Sequence, residues 1–346
     1  MAVLVMCVAA VVTLILAGIL TPLLARWAHR RNFLDIPNQR SSHAIATPRI
    51  GGVALVTSVV AGLALLQIAG SGIGRDAGIV LAGALAIATL GLADDFWTLS
   101  AIVRLLVQAA VAGTVVAMVG SLPFPWFAPN SWGAMVLTVF WIGLLTNDYN
   151  FMDGIDGIAG AQALVGGIGW TAIALLAGLP GIAALSLMAA AASGGFLLHN
   201  WYPAKVFMGD AGSGFFGFLF AALPLLAPAD PLYTWCAVLL IWPFLFDTTV
   251  TLIRRASRLE NVLAAHRSHI YQRLVIAGCS HVQVTLLYAG LAILGAVAGL
   301  LVATRQPIGP PVSVVTISLA AGALWWYVRR REGTRERAQR SERVGE

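Results

Sequence analysis

Runs of apolar residues long enough to cross a bilayer, separated by short polar turns, recur along nearly the whole chain. They fall at about 2–24, 50–70, 77–93, 102–120, 132–147, 158–178, 181–198, 212–228, 232–253, 282–303 and 311–328. A helix that crosses hydrocarbon needs about 20 such residues. Inside lipid the backbone is satisfied only in helices or closed barrels, and unbroken apolar runs of this length select helices. The pattern predicts an all-α, polytopic transmembrane bundle of about eleven spans. Gly178-Leu-Pro-Gly181 reads either as a tight turn or as a break in one helix. The first run lacks a basic segment before it and a small-residue cleavage pattern, so it reads as a retained helix.

Composition agrees. Of 346 residues, 59% are hydrophobic and only 10% charged, against about 25% charged in an ordinary soluble domain. All but two of the 21 Lys and Arg residues fall on one set of loops or in the tail after Arg329; the exceptions are Arg75 and Arg305. The positive-inside rule then predicts a periplasmic N-terminus and a cytoplasmic C-terminus. The chain divides into a membrane-embedded domain, 1–328, and a basic cytoplasmic tail, 329–346. The net charge of +6 is read as this bias and as attraction to anionic headgroups, not as a nucleic-acid surface. Cys7, Cys236 and Cys279 have neither metal-ligand nor disulfide spacing.

The acidic residues were not used to orient the chain, yet they gather on the same side. Asp94-Asp95 follows the third span, Asn147 to Gly157 the fifth, and Asn200 to Gly214 the seventh. Carboxylates near hydrocarbon are costly. Asp94, Asp95, Asp153, Asp156 and Asp210 together argue for a cation site, and Mg²⁺ takes one or two carboxylates plus phosphate oxygens. Asp153 and Asp156, three apart, would share a helix face, or Asp156 would cap the sixth span. Gly209-Asp210-Ala-Gly212-Ser213-Gly214 opens the eighth span and offers backbone N–H groups to an anion. Its bland alternative is small-residue helix packing.

His266, Arg267 and His269 lie in the longest basic loop and read as a phosphate clamp. Arg40 to His43, running on to Pro48-Arg49, forms a second candidate for anion contact. Asp247 sits within the ninth span, where an acid is a functional candidate by default or the partner of a basic residue.

Asp94-Asp95, the stretch Asn147 to Gly157, Phe207-Met-Gly-Asp210-Ala-Gly-Ser213 and the His266/His269 loop resemble, in the same order, the polyprenyl-phosphate N-acetylhexosamine-1-phosphate transferases, the MraY/WecA superfamily. The resemblance covers almost the whole chain. It implies transfer of a sugar 1-phosphate from a UDP-amino sugar to undecaprenyl phosphate at the bacterial inner membrane, with release of UMP. It implies Mg²⁺, with Mn²⁺ as a substitute, held by Asp210 and Asn150. The catalytic carboxylates it implies are Asp94, Asp95 and Asp153. Asn150, Asp156 (at the uracil end), Lys205, Arg49, His266, Arg267 and His269 are the implied substrate contacts. The sequence His266-Arg-Ser-His269-Ile-Tyr271-Gln272 departs from the His-rich run of MraY-like chains and resembles the branch that initiates O-antigen and related polysaccharides. A homodimer is compatible with this reading.

Three rival readings fit the pattern less well. Peptidoglycan-type transfer of a phospho-muramoyl-pentapeptide is disfavoured by the His loop. A transporter predicts acids near the midplane on broken helices in related halves, whereas these acids sit mostly at one interface. A CDP-alcohol transferase carries its acids in one compact segment, and here they are spread over three loops.

Overall fold

The computed structural model describes residues 2–37, 45–261 and 266–345. The segment Arg40 to His43, a sequence candidate for anion contact, lies outside them. Twelve α-helices occur among the described residues: α1 (Ala2–Arg30), α2 (Gly51–Ile68), α3 (Arg75–Trp97), α4 (Ala101–Val119), α5 (Trp132–Met152), α6 (Ile158–Ala177), α7 (Pro180–Asn200), α8 (Gly209–Ala222), α9 (Pro231–Ser257), α10 (Ile270–Ile276), α11 (His281–Ala303) and α12 (Gly309–Gly345). One antiparallel pair, β1 (Leu34–Asp35) with β2 (Thr47–Pro48), is the whole of the described sheet.

Each predicted span falls on one helix. Ten are long and apolar enough to cross a membrane. The remaining one, α5, has 21 residues but ends in the polar run Thr146-Asn147-Asp148-Tyr149-Asn150. The helix α10 has only seven residues, too few to register as an apolar period. The Gly178 junction is a turn: α6 ends at Ala177, Gly178 is left-handed at φ +69°, and Pro180 opens α7. Glycine takes that conformation without a Cβ penalty, and proline is tolerated in the first turn of a helix. The last helix, α12, continues unbroken past Arg329.

Burial sorts the helices. The segment Gly209–Leu226, α8 with its 3-10 extension, has 83% of its apolar window buried; α6 and α7 have 72% each, and α1, α4 and α12 only 17%. The interior is therefore α6–α8, and the outer helices present their sides to lipid. Several buried hydroxyls are satisfied within their own helices. Thr13, Ser58, Thr138 and Thr171 donate to the carbonyl four residues earlier at 2.7–2.8 Å, as an apolar medium demands. Pro243 interrupts the ladder of α9 because proline has no N–H. The Leu239 carbonyl loses its helical donor there, and the adjoining Leu240 carbonyl accepts from Gln162 Nε2 at 2.8 Å.

The start of α8 is wedged between α2 and α3 by glycines. A Cβ on Gly52 would sit 2.2 Å from Gly212 N, and one on Gly91 would sit 2.2 Å from the Asp210 carbonyl. Neither neighbour is a flexible side-chain tip, so the helices must separate to admit a methyl group. Overpacking of this kind costs about 1–3 kcal/mol. Gly91→Ala is expected to lower the thermal unfolding midpoint in detergent and to reduce activity by displacing Asp210. An unchanged midpoint and rate would show that α3 and α8 do not pack in this way.

Candidate active site

The N-terminus of α8 is the centre of the site. Asp95, in the last turn of α3, accepts from the backbone N–H of Asp210 at 3.1 Å and of Ala211 at 3.2 Å. The glycine-rich start of α8 thus offers its N–H groups to an anion, as its sequence predicts, but that anion is the chain's own Asp95. These groups are not free for a ligand. Arg49 closes the arrangement. Its Nε lies 3.0 Å from Asp95 Oδ1, and its Nη2 pairs with Asp210. Strand-like pairing places it there, with Arg49 bridged to Phe207 and Phe207 N donating to the Pro48 carbonyl at 2.8 Å. Burial opposes the charge of Arg49. Asp210 and then Asp95 outweigh it and hold the guanidinium pKa above its usual value.

Asp94 faces a different neighbourhood. Asp94 and Asp95 lie inside α3, not in the loop after it. Asp94 accepts from Leu99 N at 2.6 Å and from Arg104 Nη1 at 2.8 Å. Arg104 also reaches to 4.0 Å from Asp210 Oδ2. Asn150, near the end of α5, donates to Asp210 Oδ1 at 2.8 Å and to Ser213 Oγ at 3.0 Å. Asp94, Arg104, Asn150 and Asp210 line a partly open cleft, with Ile87 and Leu90 giving it an apolar wall. Asn147 donates to Gln108 at 2.7 Å, and both side chains line that cleft. Asp95 is 1% exposed at its side chain and is absent from the lining.

The pair Asp153 and Asp156 does not share a helix face. The segment from Asp153 to Gly157 is non-helical, with Gly157 left-handed at φ +77°, and Asp156 does not cap α6. The two carboxylates part. Among the described residues the Asp153 carboxyl makes no hydrogen bond or ion pair. Burial pushes it up to about 7; Arg49 opposes the rise, and Asp210, Asp95 and Asp156 add to it. Asp156 turns to another corner, where it accepts from Ala204 N at 3.0 Å and lies 3.3 Å from His281 Nδ1. The same corner is stapled by Asn200, which accepts from Gly157 N at 3.1 Å and donates to the Val206 carbonyl at 2.9 Å. Lys205 is exposed beside it.

The His loop packs against the end of α5. Tyr271 Oη donates to the Phe151 carbonyl at 3.0 Å, and the His269 ring stacks on Phe151 with centroids 6.1 Å apart. His266 Nδ1 is 3.0 Å from Ser268 Oγ. Burial, then His269 and Arg255, pushes His266 down to about 4, so it is neutral near pH 7. Arg267 is half-buried in the same loop. The residues 150–156 therefore join three places: Asn150 to the α8 cluster, Phe151 to the His loop, and Asp156 to the His281 corner.

This geometry meets a matching set of relatives. The family model described as Glycosyl transferase family 4 matches residues 77–227. A Bacillus subtilis protein named "Probable undecaprenyl-phosphate N-acetylglucosaminyl 1-phosphate transferase" is 36% identical over 285 residues, covering 79% of this chain and 78% of that one. The chain belongs to the polyprenyl-phosphate N-acetylhexosamine-1-phosphate transferase superfamily. A Mycobacterium leprae decaprenyl-phosphate N-acetylglucosaminephosphotransferase is 29% identical, covering 83% of this chain and 81% of that one. A phospho-N-acetylmuramoyl-pentapeptide-transferase of Gloeothece citriformis is also 29% identical, covering 79% and 80%. The transporter alternative falls with this membership: the chain is a glycosyl-1-phosphate transferase.

The donor set of the transferase fits a hard cation. Among the described residues no three His, Cys, Asp or Glu side chains are spaced to close around a metal ion, so these residues do not by themselves form a full cage. Mg²⁺ does not require one, because it keeps waters and takes substrate phosphate oxygens alongside one or two carboxylates. Asp210 carries a carboxylate on which Arg49, Asn150 and, at longer range, Arg104 converge. Asp210 supplies hard oxygen donors at the cleft, with the Asn150 amide beside it, and Arg49 and Arg104 would have to give up that carboxylate for a cation to take it. Sequence reading used Arg104 only to orient the chain. Its helical phase relative to Asp94, ten residues and one tight turn away, was the signal that could have placed it in the site. His281 was also missed; its signal was the capping box Ser280-x-x-Gln283, which fixes the start of α11.

Proposed function

We propose that the transferase moves an N-acetylhexosamine 1-phosphate, or that of a related deoxy amino sugar, from a UDP-sugar to undecaprenyl phosphate. The reaction is placed at the cytoplasmic face of the bacterial inner membrane, as the initiating step of O-antigen or another envelope glycan. An oxygen of the lipid phosphate forms a bond to the phosphorus that carries the sugar. The bond from that phosphorus to the bridging oxygen breaks, and UMP leaves with that oxygen. The observation that carries this reading is the convergence of Asp94, Asp95, Asp210 and Asn150 with Arg49 and Arg104 around the start of α8. The names of the relatives supply the acceptor and the sugar class. The loops expected on the cytoplasmic side meet at one end of the bundle, which supports a single-sided site.

In this reading Asp94, which lines the cleft, positions the acceptor phosphate and takes up its proton. The enclosed Asp95 fixes Arg49 and the start of α8. Arg49 and Arg104 exchange carboxylate partners for substrate phosphates, and Asn150 holds Asp210 in register. Asp210 and Asn150 would hold a Mg²⁺ ion, which would supply charge neutralisation at the diphosphate. Asp156 and Lys205 serve the nucleotide end, and Arg267 meets phosphate or sugar. Membranes containing the protein are expected to release UMP from a UDP-amino sugar only when undecaprenyl phosphate and Mg²⁺ are both present. Equal release without the lipid sinks the proposal. Preference for a UDP-muramoyl-pentapeptide across a panel of donors favours the peptidoglycan alternative.

Asp153 gives a pH signature. Its folded value of about 7 exceeds the ordinary 3.8, so the folded protein holds an extra proton between those values. The stabilisation from that proton is complete below about pH 4 and is lost as pH rises through about 7. Thermal stability of the substrate-free protein should fall over that window, and less so in Asp153→Asn. With an ionised Asp153 required, kcat/KM should rise through about pH 7 in the native enzyme. In Asp153→Asn it should be low and flat there. A native limb that persists in the variant belongs to another group.

A further inference from the structure

Asp247 is the most enclosed acid outside the reaction centre, with 0% exposure within α9. All its partners are donors. It accepts from Ile270 N at 2.7 Å, Tyr271 N at 2.9 Å, Tyr288 Oη at 2.6 Å and Thr251 Oγ1 at 3.3 Å. His269 Nδ1 lies 3.2 Å from Asp247 Oδ1. A carboxylate ringed by donors is acceptor-only, so the proton between it and His269 resides on Nδ1. His269 also caps α10, its side chain meeting the Gln272 backbone N–H, while its only hydrogen bond to another side chain among the described residues is the one to Asp247. A carboxylate on one imidazole nitrogen fixes which nitrogen faces the reaction. The two backbone bonds make the same acid the anchor of the loop at the start of α10. The ring it holds stacks on Phe151, one residue from Asn150 and two from Asp153.

We propose that Asp247 is a positioning residue for transfer, fixing the His269 tautomer and the start of α10 so that Nε2 is presented to the donor substrate. Nε2 then accepts a hydroxyl or amide proton of the sugar. This rests on the reading that the His loop meets the donor. It differs from an ordinary helix cap in requiring that Asp247 and His269 act as one unit.

The test uses the full-length protein in detergent or nanodiscs. His269→Asn keeps an amide N–H near the position of Nδ1 and removes Nε2. It should unfold at nearly the native temperature while kcat/KM for the UDP-sugar drops about 10²-fold, the scale of a small misplacement at a reacting centre. KM for undecaprenyl phosphate should stay unchanged. Asp247→Asn should lose activity to a similar degree, and the double variant should be no worse than either single one. Multiplying losses, or normal turnover per folded Asp247→Asn molecule, overturns the proposal. If Asp247→Asn does not fold, Tyr288→Phe removes one bond to the same carboxylate and should give a smaller loss in the same direction; an unchanged rate overturns it. Isotope-labelled histidine NMR reads the tautomer without turnover. A proton on Nδ1 of His269 in the native protein, redistributed in Asp247→Asn or Tyr288→Phe, supports the proposal; a proton on Nε2 alone overturns it. A native enzyme inactive on every UDP-sugar overturns the reaction proposed above, and the tautomer measurement still decides this one.

Discussion

Asp210→Asn will retain the fold and lose transfer by at least about 10²–10³-fold, the scale set by removing one preorganised electrostatic group from a reaction centre. The substitution keeps shape and an acceptor oxygen, so Arg49 and Asn150 retain a partner where each now meets Asp210 Oδ1 or its neighbour. What is lost is the negative charge at the start of α8, on the side chain best placed to hold a cation against a diphosphate. The thermal midpoint should move by only a few degrees in a chain of this size. Comparison of midpoint and UMP release in the same preparation separates the two effects. Unchanged turnover in a folded Asp210→Asn protein would remove Asp210 from the reaction.

Asp95→Ala will do the opposite in kind, and its main effect is structural. The Asp95 side chain is 1% exposed, and it serves two backbone N–H groups of α8 together with Arg49. Removing it leaves those N–H groups buried without a partner and frees half of the Arg49 contact. Hydrogen bonds to a charged group contribute about 1.5–3 kcal/mol each. Arg49 is partly solvated, so its share is screened. A loss of about 3 kcal/mol is expected, read as a lower unfolding midpoint and as protease sensitivity near residue 209. Activity should fall with it, because Asp210 rides on the same turn. In contrast, Asp94→Asn should cost little stability and much activity, since Asp94 lines the cleft while its partner Arg104 is more than one-third exposed. Equal stability for the two variants would contradict the distinction between an enclosed Asp95 and a cleft-lining Asp94.

The helices were legible because lipid leaves the backbone so few choices. Eleven apolar runs became eleven helices, and the turn at Gly178 followed from a glycine and a proline in the positions those residues favour. The α8 cluster was also partly legible: Asp94, Asp95, Asn150, Asp210 and Arg49 all stood out as polar residues at the ends of apolar runs. Division of labour among them was not legible. Sequence cannot tell which of two adjacent acids faces a cleft, because successive helical residues diverge by about 100° and the neighbouring helix decides which face is covered. Nor could it foresee that Asp95 would occupy the N–H groups of α8, or that Asp153 and Asp156 would diverge once Gly154 and Gly157 broke the helix between them. Asp247 stood out as an acid inside a span, but its partners lie on other helices, so no local spacing names them. Arg104 was marked only by its helical phase relative to Asp94 across one tight turn.

The central claim is that a sugar and its phosphate move together to a lipid phosphate. The direct measurement uses a UDP-N-acetylhexosamine radiolabelled at the phosphorus nearest the sugar, with purified protein, Mg²⁺ and undecaprenyl phosphate. Label should pass into the lipid fraction in equal amount to the UMP formed, and Asp210→Asn should prevent both. Label recovered in UDP, with the sugar alone on the lipid, or label released to water without any lipid acceptor, would contradict it.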